Sequence, residues 1–154
     1  MEIYSELKQL VNLLSENDIP FALCGGLAMA VYGMPRATID IDIMIEEKNL
    51  QKVKNLADNA GFSHSPGKMN FRGGKIEIVR LVKFDQEIGD ELILDLILVT
   101  PRLREIWDQR EKRTVDWGEL SVVSRDGLIR LKEFRGSGTD KDDIKYLKGE
   151  GDEG

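Results

Sequence analysis

Cysteine and histidine are nearly absent from this sequence of 154 residues, which contains one of each, Cys24 and His64. A single cysteine excludes an intrachain disulfide, a redox pair of the Cys-x-x-Cys type and a cysteine-rich zinc site. His64 lies in a segment rich in glycine, proline and serine, which predicts an exposed loop residue rather than a catalytic base. Cys24 ends an apolar run and is predicted to be a buried strand residue rather than a nucleophile.

Long hydrophobic runs are missing as well. No stretch approaches the roughly 20 apolar residues of a membrane span, and the start MEIYSELKQL is amphipathic rather than a signal sequence. We therefore expect a cytoplasmic protein without membrane contact. The length predicts one domain over residues 1–148, with a catalytic core at about 1–101 and a hairpin and helices at about 102–148. Residues 149–154 are glycine and acid only and are predicted to be a disordered tail.

An excess of positive charge is also lacking. The formal net charge of −6 argues against broad attachment to a polyanion. The densest basic stretch has two interpretations, a solvated surface, which is the more common one, and a local nucleic-acid contact. It comprises Arg102, Arg104, Arg110, Lys112, Arg113, Arg125, Arg130, Lys132 and Arg135.

Apolar periodicity predicts a mixture of helices and strands. Helices are expected from the N-terminus to about Ser15–Asp18, over 27–32, 49–60, shortly after Pro101, over 126–135 and over 142–147. Strands are expected at 21–24, 38–45, 68–71, 75–82 and 91–100, with one hairpin turn at Gly73-Gly74 and another around 116–118.

The segment 38–45, T-I-D-I-D-I-M-I, carries the strongest strand pattern. Asp40 and Asp42 are two residues apart, so both side chains leave the same face with Cα atoms roughly 6.6 Å apart. Their carboxylates are therefore expected to converge. The opposite face is aliphatic and is predicted to be core; it consists of Ile39, Ile41, Ile43 and Ile45.

Asp95 is a lone carboxylate in the otherwise apolar strand L-I-L-D-L-I-L. Burying it unpaired is costly, and a cation shared with Asp40 and Asp42 would remove that cost. Three oxygen ligands without histidine or cysteine favour magnesium or manganese over zinc. The alternative is that Asp40 and Asp42 face water and Asp95 pairs with a nearby arginine or lysine.

Gly25-Gly26 is predicted between a strand and a helix, directly before the acidic strand. Bare backbone amides at such a position bind phosphate. The alternative interpretation is a tight turn without a ligand.

The run GGLAMAVYGMPRATIDID, from Gly25 to Asp42, resembles the signature of the DNA polymerase β-like nucleotidyltransferase superfamily. Within it, the glycine pair, Arg36, Thr38 and the two aspartates most resemble the group of the AbiEii-type toxins of abortive-infection systems. Asp95 matches the third aspartate of that pattern. The resemblance implies an α+β fold, a mixed β-sheet flanked by helices, with a short helical C-terminal part.

The resemblance also implies a metal-dependent enzyme that uses Mg²⁺ or Mn²⁺ and a nucleoside triphosphate. Asp40, Asp42 and Asp95 would be its catalytic residues and metal ligands. The nucleotide-binding residues implied are Gly25, Gly26, Arg36, Thr38, Lys132 in SRDGLIRLKEF and Asp143 in DKDDI.

Several alternatives stay open beside this interpretation. Lys132 also fits a solvated helix lysine, and Asp143 an acid at a helix N-terminus. The acceptor is open among RNA, a protein and a small molecule, and a cognate antitoxin or toxin is an expected partner. A non-catalytic nucleotide- or metal-binding module of a toxin-antitoxin-like pair and a structural domain with a surface salt-bridge network are the competing functional hypotheses.

Overall fold

The structure, a computed structural model, describes residues 2–34, 38–71, 76–85, 89–135 and 138–149. Within these ranges the helices are α1 (Ile3–Glu16), α2 (Gly25–Val31), α3 (Leu50–Asn59), α4 (Arg104–Asp108), α5 (Arg125–Arg135) and α6 (Gly138–Leu147). The strands are β1 (Ala22–Cys24), β2 (Asp40–Ile45), β3 (His64–Phe71), β4 (Ile76–Asp85), β5 (Asp90–Leu98), β6 (Glu111–Val115) and β7 (Gly118–Val122). Short 3₁₀ turns, Glu47–Asn49 and Pro101–Leu103, precede α3 and α4.

The seven strands described form one sheet in the order β3-β4-β5-β2-β1-β7-β6. β2 is parallel to β5 and β1 is parallel to β7, whereas the other neighbours are antiparallel. The predicted α+β architecture with a mixed, helix-flanked sheet is therefore confirmed. Among the described helices, none combines the length and the apolar character needed to cross a bilayer.

One face of the sheet forms the main core. Ile41, Ile43 and Ile45 are buried there, as their alternation predicts. An ion pair between Lys83 Nζ and Glu6 Oε1, at 2.8 Å, places α1 on this face of β4. The buried side chains of α1 recur at helical spacing, and burying them is what stabilises the packing of α1 against the sheet; they are Leu7, Leu10, Val11 and Leu14.

Ile39 does not belong to this core, and the prediction that it does is wrong. Its side chain is 68% exposed. The strand begins at Asp40, so Ile39 lies in the bend before it, where strand alternation no longer directs a side chain into the core.

The prediction of a loop at His64 is also wrong, although the side chain is exposed as expected. His64 begins β3, and its ring lies 5.8 Å from that of Phe84. Glycine and proline suggested the loop, but β3 is an edge strand, where Pro66 is tolerated because no inner ladder bond is lost. The register is irregular between His64 and Gly67.

The remaining differences concern the ends of elements. Helix α6 begins at Gly138, four residues before the expected start at Asp142. The predicted turn at Gly73-Gly74 and the tail beyond Gly149 lie outside the described residues. The disordered tail and the division of the domain near residue 101 remain predictions.

Candidate active site

The face of the sheet opposite the isoleucine core carries an acidic cluster. Asp42 of β2 is in register with Asp95 of β5, and Asp40 lies two residues earlier on β2. Each side chain offers one oxygen, and the three oxygens lie within 4.8 Å of one another. Asp95 is 5% exposed, and the other two are half-buried. The structure thus brings together the carboxylates whose convergence the sequence predicts.

Arg80 of β4 completes this cluster. Its Nε and Nη2 donate to Oδ1 and Oδ2 of Asp95 at 2.9 and 3.0 Å, a two-pronged arrangement that favours an arginine. The hydrogen bond with Asp95 raises the pKa of the guanidinium, and the charges of Asp95, Asp40 and Asp42 act in the same direction. The sequence left open whether Asp95 pairs with a nearby arginine or lysine or converges with Asp40 and Asp42. The structure shows both arrangements at once.

Thr38 contacts an acid of this cluster. Its Oγ1 donates to Oδ1 of Asp40 at 2.6 Å. This hydroxyl therefore fixes the orientation of a half-buried carboxylate at the start of β2. The contact gives Thr38 a positioning role toward Asp40, whereas the sequence pattern suggests nucleotide binding.

Gly25, the first residue of α2, lies against Asp42. A Cβ atom on Gly25 would fall 2.0 Å from Asp42 Oδ2, and the φ of +68° is one that other residues rarely adopt. Only glycine lets the chain pass this close to the carboxylate. Gly26 is the second residue of α2, and Arg36 lies outside the described residues.

Burial, helped by the charge of Asp42, raises the pKa of the Cys24 thiol, so Cys24 stays protonated and inert at neutral pH.

We expect Gly25→Ala to disable the site. The methyl group would force Asp42 or the β1–α2 connection to move, in addition to a backbone cost of about 1–2 kcal/mol for a left-handed non-glycine residue. Gly89→Ala is the matched control, because Gly89 has a φ of +69° and no described heavy atom within 4 Å of its Cβ position. Urea unfolding should show a loss of stability in both variants, whereas nucleotidyl transfer, the activity that the family resemblance implies, should be lost only in Gly25→Ala. Equal transfer by the two variants would contradict a functional role of this close approach.

Lys132 of α5 and Asp143 of α6 form a buried ion pair beside the acidic cluster. The distance from Lys132 Nζ to Asp143 Oδ2 is 2.9 Å, and the side chains are 7% and 1% exposed. Lys132 is therefore not the solvated helix lysine of the alternative interpretation, and Asp143, the sixth residue of α6, is not an acid at a helix N-terminus. Lys132 also lines the same cavity as the three aspartates, whereas Asp143 is not among the lining residues and contacts Lys132.

The cavity has a volume of about 490 Å³, within the range of ligand sites. Its polar lining comprises the acidic cluster with Gly25, Arg80 and Lys132. Its apolar lining comprises Ile76, Ile78, Ile97, Leu128, Leu131 and Phe134. The cavity can therefore bind a ligand that has both a highly charged group and an apolar surface.

The basic stretch is largely engaged in packing and ion pairs. Arg110 lies over the Trp107 ring at 4.0 Å, and Arg113 and Arg125 lie over the Tyr32 ring at 4.9 and 5.2 Å. Others pair with acids, Arg104 with Glu46 and Arg130 with Glu105. These contacts favour the solvated-surface interpretation over a nucleic-acid contact.

Two comparisons with solved structures of low sequence identity identify the fold. The lincosamide antibiotic adenylyltransferase LnuA, in its lincomycin-bound crystal structure, is 18% identical with a TM-score of 0.58, covering 95% of this chain and 96% of its own. ANT(2″)-Ia in complex with adenylyl-2″-tobramycin is 14% identical with a TM-score of 0.60, covering 93% of this chain and 85% of its own.

JHP933 from Helicobacter pylori is 18% identical with a TM-score of 0.56, covering 95% of this chain and 64% of its own. A search of the curated proteins finds no match. The structural likeness shows the polymerase β-like nucleotidyltransferase fold.

The sequence itself matches a family profile over residues 9–115, which is more than half of the chain. That profile is described as "Nucleotidyl transferase AbiEii toxin, Type IV TA system". The predicted resemblance is thereby confirmed, and the chain belongs to the AbiEii family of nucleotidyltransferases.

Proposed function

We propose that this protein is a divalent-metal-dependent enzyme that moves a nucleoside monophosphate from a nucleoside triphosphate to an acceptor hydroxyl and releases pyrophosphate. The observation that carries the proposal is the convergence of Asp40, Asp42 and Asp95 within 4.8 Å, in a cavity that Lys132 also lines. Carboxylates this close repel each other in the absence of a cation. A cation site gives a physical reason for their convergence.

The donor set fits magnesium or manganese, because it consists of carboxylate oxygens alone. Asp40 and Asp42 would hold two ions, and Asp95 would hold the one on the nucleophile's side. The chemistry that such ions would supply is a lowered pKa of the acceptor hydroxyl and neutralisation of charge on the leaving group.

The other residues of the cavity would bind the triphosphate. The amides of Gly25 and Gly26 begin α2 next to Asp42, and Lys132 supplies a positive charge; Arg36 is proposed as a second cation. The acceptor oxygen bonds to the α-phosphorus while the bridging bond to the β-phosphate breaks, and pyrophosphate leaves with the electron pair. Asp95 is the proposed acceptor of the hydroxyl proton.

The apolar residues that line the cavity favour an acceptor or a base with an apolar surface. LnuA and ANT(2″)-Ia act on small antibiotics, whereas the family description names a toxin of a toxin-antitoxin system. Lincomycin, tobramycin, RNA and protein are therefore the acceptors to compare. A cognate antitoxin is the expected partner.

The test is to incubate the protein with Mg²⁺, each of the four α-labelled triphosphates, and each acceptor in turn. We expect label in one acceptor fraction with one preferred nucleotide, no transfer without Mg²⁺, and none with Asp95→Asn. Absence of transfer to every acceptor, combined with tight nucleotide binding, would contradict catalysis.

That result would instead support a non-catalytic nucleotide-binding module. The specific observation that favours this second candidate is the ion pair of Asp95 with Arg80, which gives the buried acid a partner without a metal. Nucleotide binding without turnover distinguishes the module from the enzyme.

A further inference from the structure

Arg80 and Asp95 lie in a single row across the sheet. Arg80 is in register with Asp95, Asp95 with Asp42, and Asp42 with Cys24 of β1. The positive charge of Arg80 therefore lies beside Asp95, the carboxylate that is proposed to hold the ion on the nucleophile's side. Both oxygens of that carboxylate already accept hydrogen bonds from the guanidinium.

The two partners differ in their freedom to move. The side chain of Asp95 is 7% exposed, whereas that of Arg80 is 36% exposed. On the far side of Arg80 the register partner is Gly67 of the edge strand, and no described heavy atom lies within 4 Å of the Cβ position of Gly67. The side chain of Arg80 is therefore partly open to solvent, whereas the carboxylate of Asp95 is buried in the sheet.

Charge also favours an exchange of cations. Arg80 supplies one positive charge among the three carboxylates, with which it interacts favourably. A divalent ion supplies two in the same space, and it would compete with the guanidinium for the lone pairs of the two Asp95 oxygens.

We propose that Arg80 is a positioning residue that neutralises Asp95 in the metal-free protein and leaves it when the nucleophile-side ion binds. The proposal rests on the function proposed above. Arg80 thereby competes with the metal and sets the concentration of Mg²⁺ at which the site fills.

The test is a titration with Mn²⁺ alone, followed by the electron paramagnetic resonance of the free ion. Arg80→Gln removes the competing charge and should tighten Mn²⁺ binding by about 5- to 150-fold, the usual range for two coupled ligands. Arg80→Lys retains the charge without the two-pronged contact, so its affinity for Mn²⁺ should lie between those of wild type and Arg80→Gln. The lysine variant also provides the test if the glutamine variant folds poorly. The matched control is Arg104→Gln, which breaks an exposed pair with Glu46 and should leave Mn²⁺ binding unchanged.

Each outcome decides the proposal. Tighter binding by Arg80→Gln, or Mn²⁺ binding by this variant alone, supports it. Equal Mn²⁺ binding by wild type and Arg80→Gln would show that an ion uses the outer lone pairs of Asp95. Weaker binding by Arg80→Gln than by wild type would show that Arg80 assists metal binding. Either result overturns the proposed role of Arg80 but leaves the proposed function standing. No binding by any variant overturns both.

Discussion

Asp42→Asn will strongly reduce nucleotidyl transfer while leaving the fold intact. Asp42 is the middle acid, in register with Asp95 and separated from Asp40 by one residue of the same strand. Asparagine has nearly the same shape but lacks the charge that holds a metal ion. A metal contributes several kcal/mol to the stabilisation of a transition state, and each 1.4 kcal/mol is a factor of about ten in rate. The expected loss in kcat/KM is therefore about 100- to 1,000-fold.

The stability of Asp42→Asn distinguishes this result from misfolding. Removing one of three clustered negative charges relieves repulsion, so the metal-free variant should unfold at the same or a higher temperature than wild type. Asp58→Asn is the control, because Asp58 is an exposed aspartate of α3 outside the cluster. If Asp42→Asn retains transfer within threefold of wild type, Asp42 does not belong to the active site.

Lys132→Met will lower the free energy of unfolding by about 3–5 kcal/mol, the usual cost of breaking a buried ion pair. Lys132 is 6% exposed and Asp143 is fully buried, so the change leaves a carboxylate in the interior without the cation 2.9 Å away. Denaturation in urea measures the loss. Lys145→Met, on the exposed surface of α6, is the matched control and should stay within about 0.5 kcal/mol of wild type.

The double variant Lys132→Met/Asp143→Leu separates the two roles of the lysine. Replacing both partners by apolar residues removes the buried carboxylate together with its lysine and should restore most of the stability. Transfer should stay low in the double variant, because the positive charge in the cavity is still missing. Recovery of both stability and transfer would show that Lys132 serves the fold alone.

Local patterns were sufficient to predict most elements of the fold. The strand of Asp40 and Asp42 has strict alternation, and the buried face of α1 has helical spacing, so both follow from short-range geometry. Asp95 was recognisable because a carboxylate in an apolar strand needs a partner. The second half of β3 was predicted, but residues 64–67 were missed because their glycine and proline are tolerated only at an edge, and edge position is a property of the whole sheet.

The site could be predicted in part for the same reason. That Asp40 and Asp42 share a face follows from their spacing, but the identity of the cation beside Asp95 depends on the register of β4 against β5. A register shift by one residue would turn Arg80 to the other face, and sequence spacing does not specify this register. The one available signal was a lone arginine within the apolar run I-V-R-L-V. Its link to Asp95 became visible only with the sheet assembled.

The parallel pairing of β1 with β7 has a consequence for biosynthesis. Leu23 of β1 is in register with Val122, and the Tyr32 hydroxyl donates to the carbonyl of Val123 at 2.9 Å. A nascent chain that has emerged only as far as β5 contains all three aspartates, but it lacks both β7 and Lys132. The strand that leads into Gly25 then has one open edge, and the cavity lacks its lysine. We therefore expect the proposed nucleotidyl transfer only after the ribosome has made the last third of the chain.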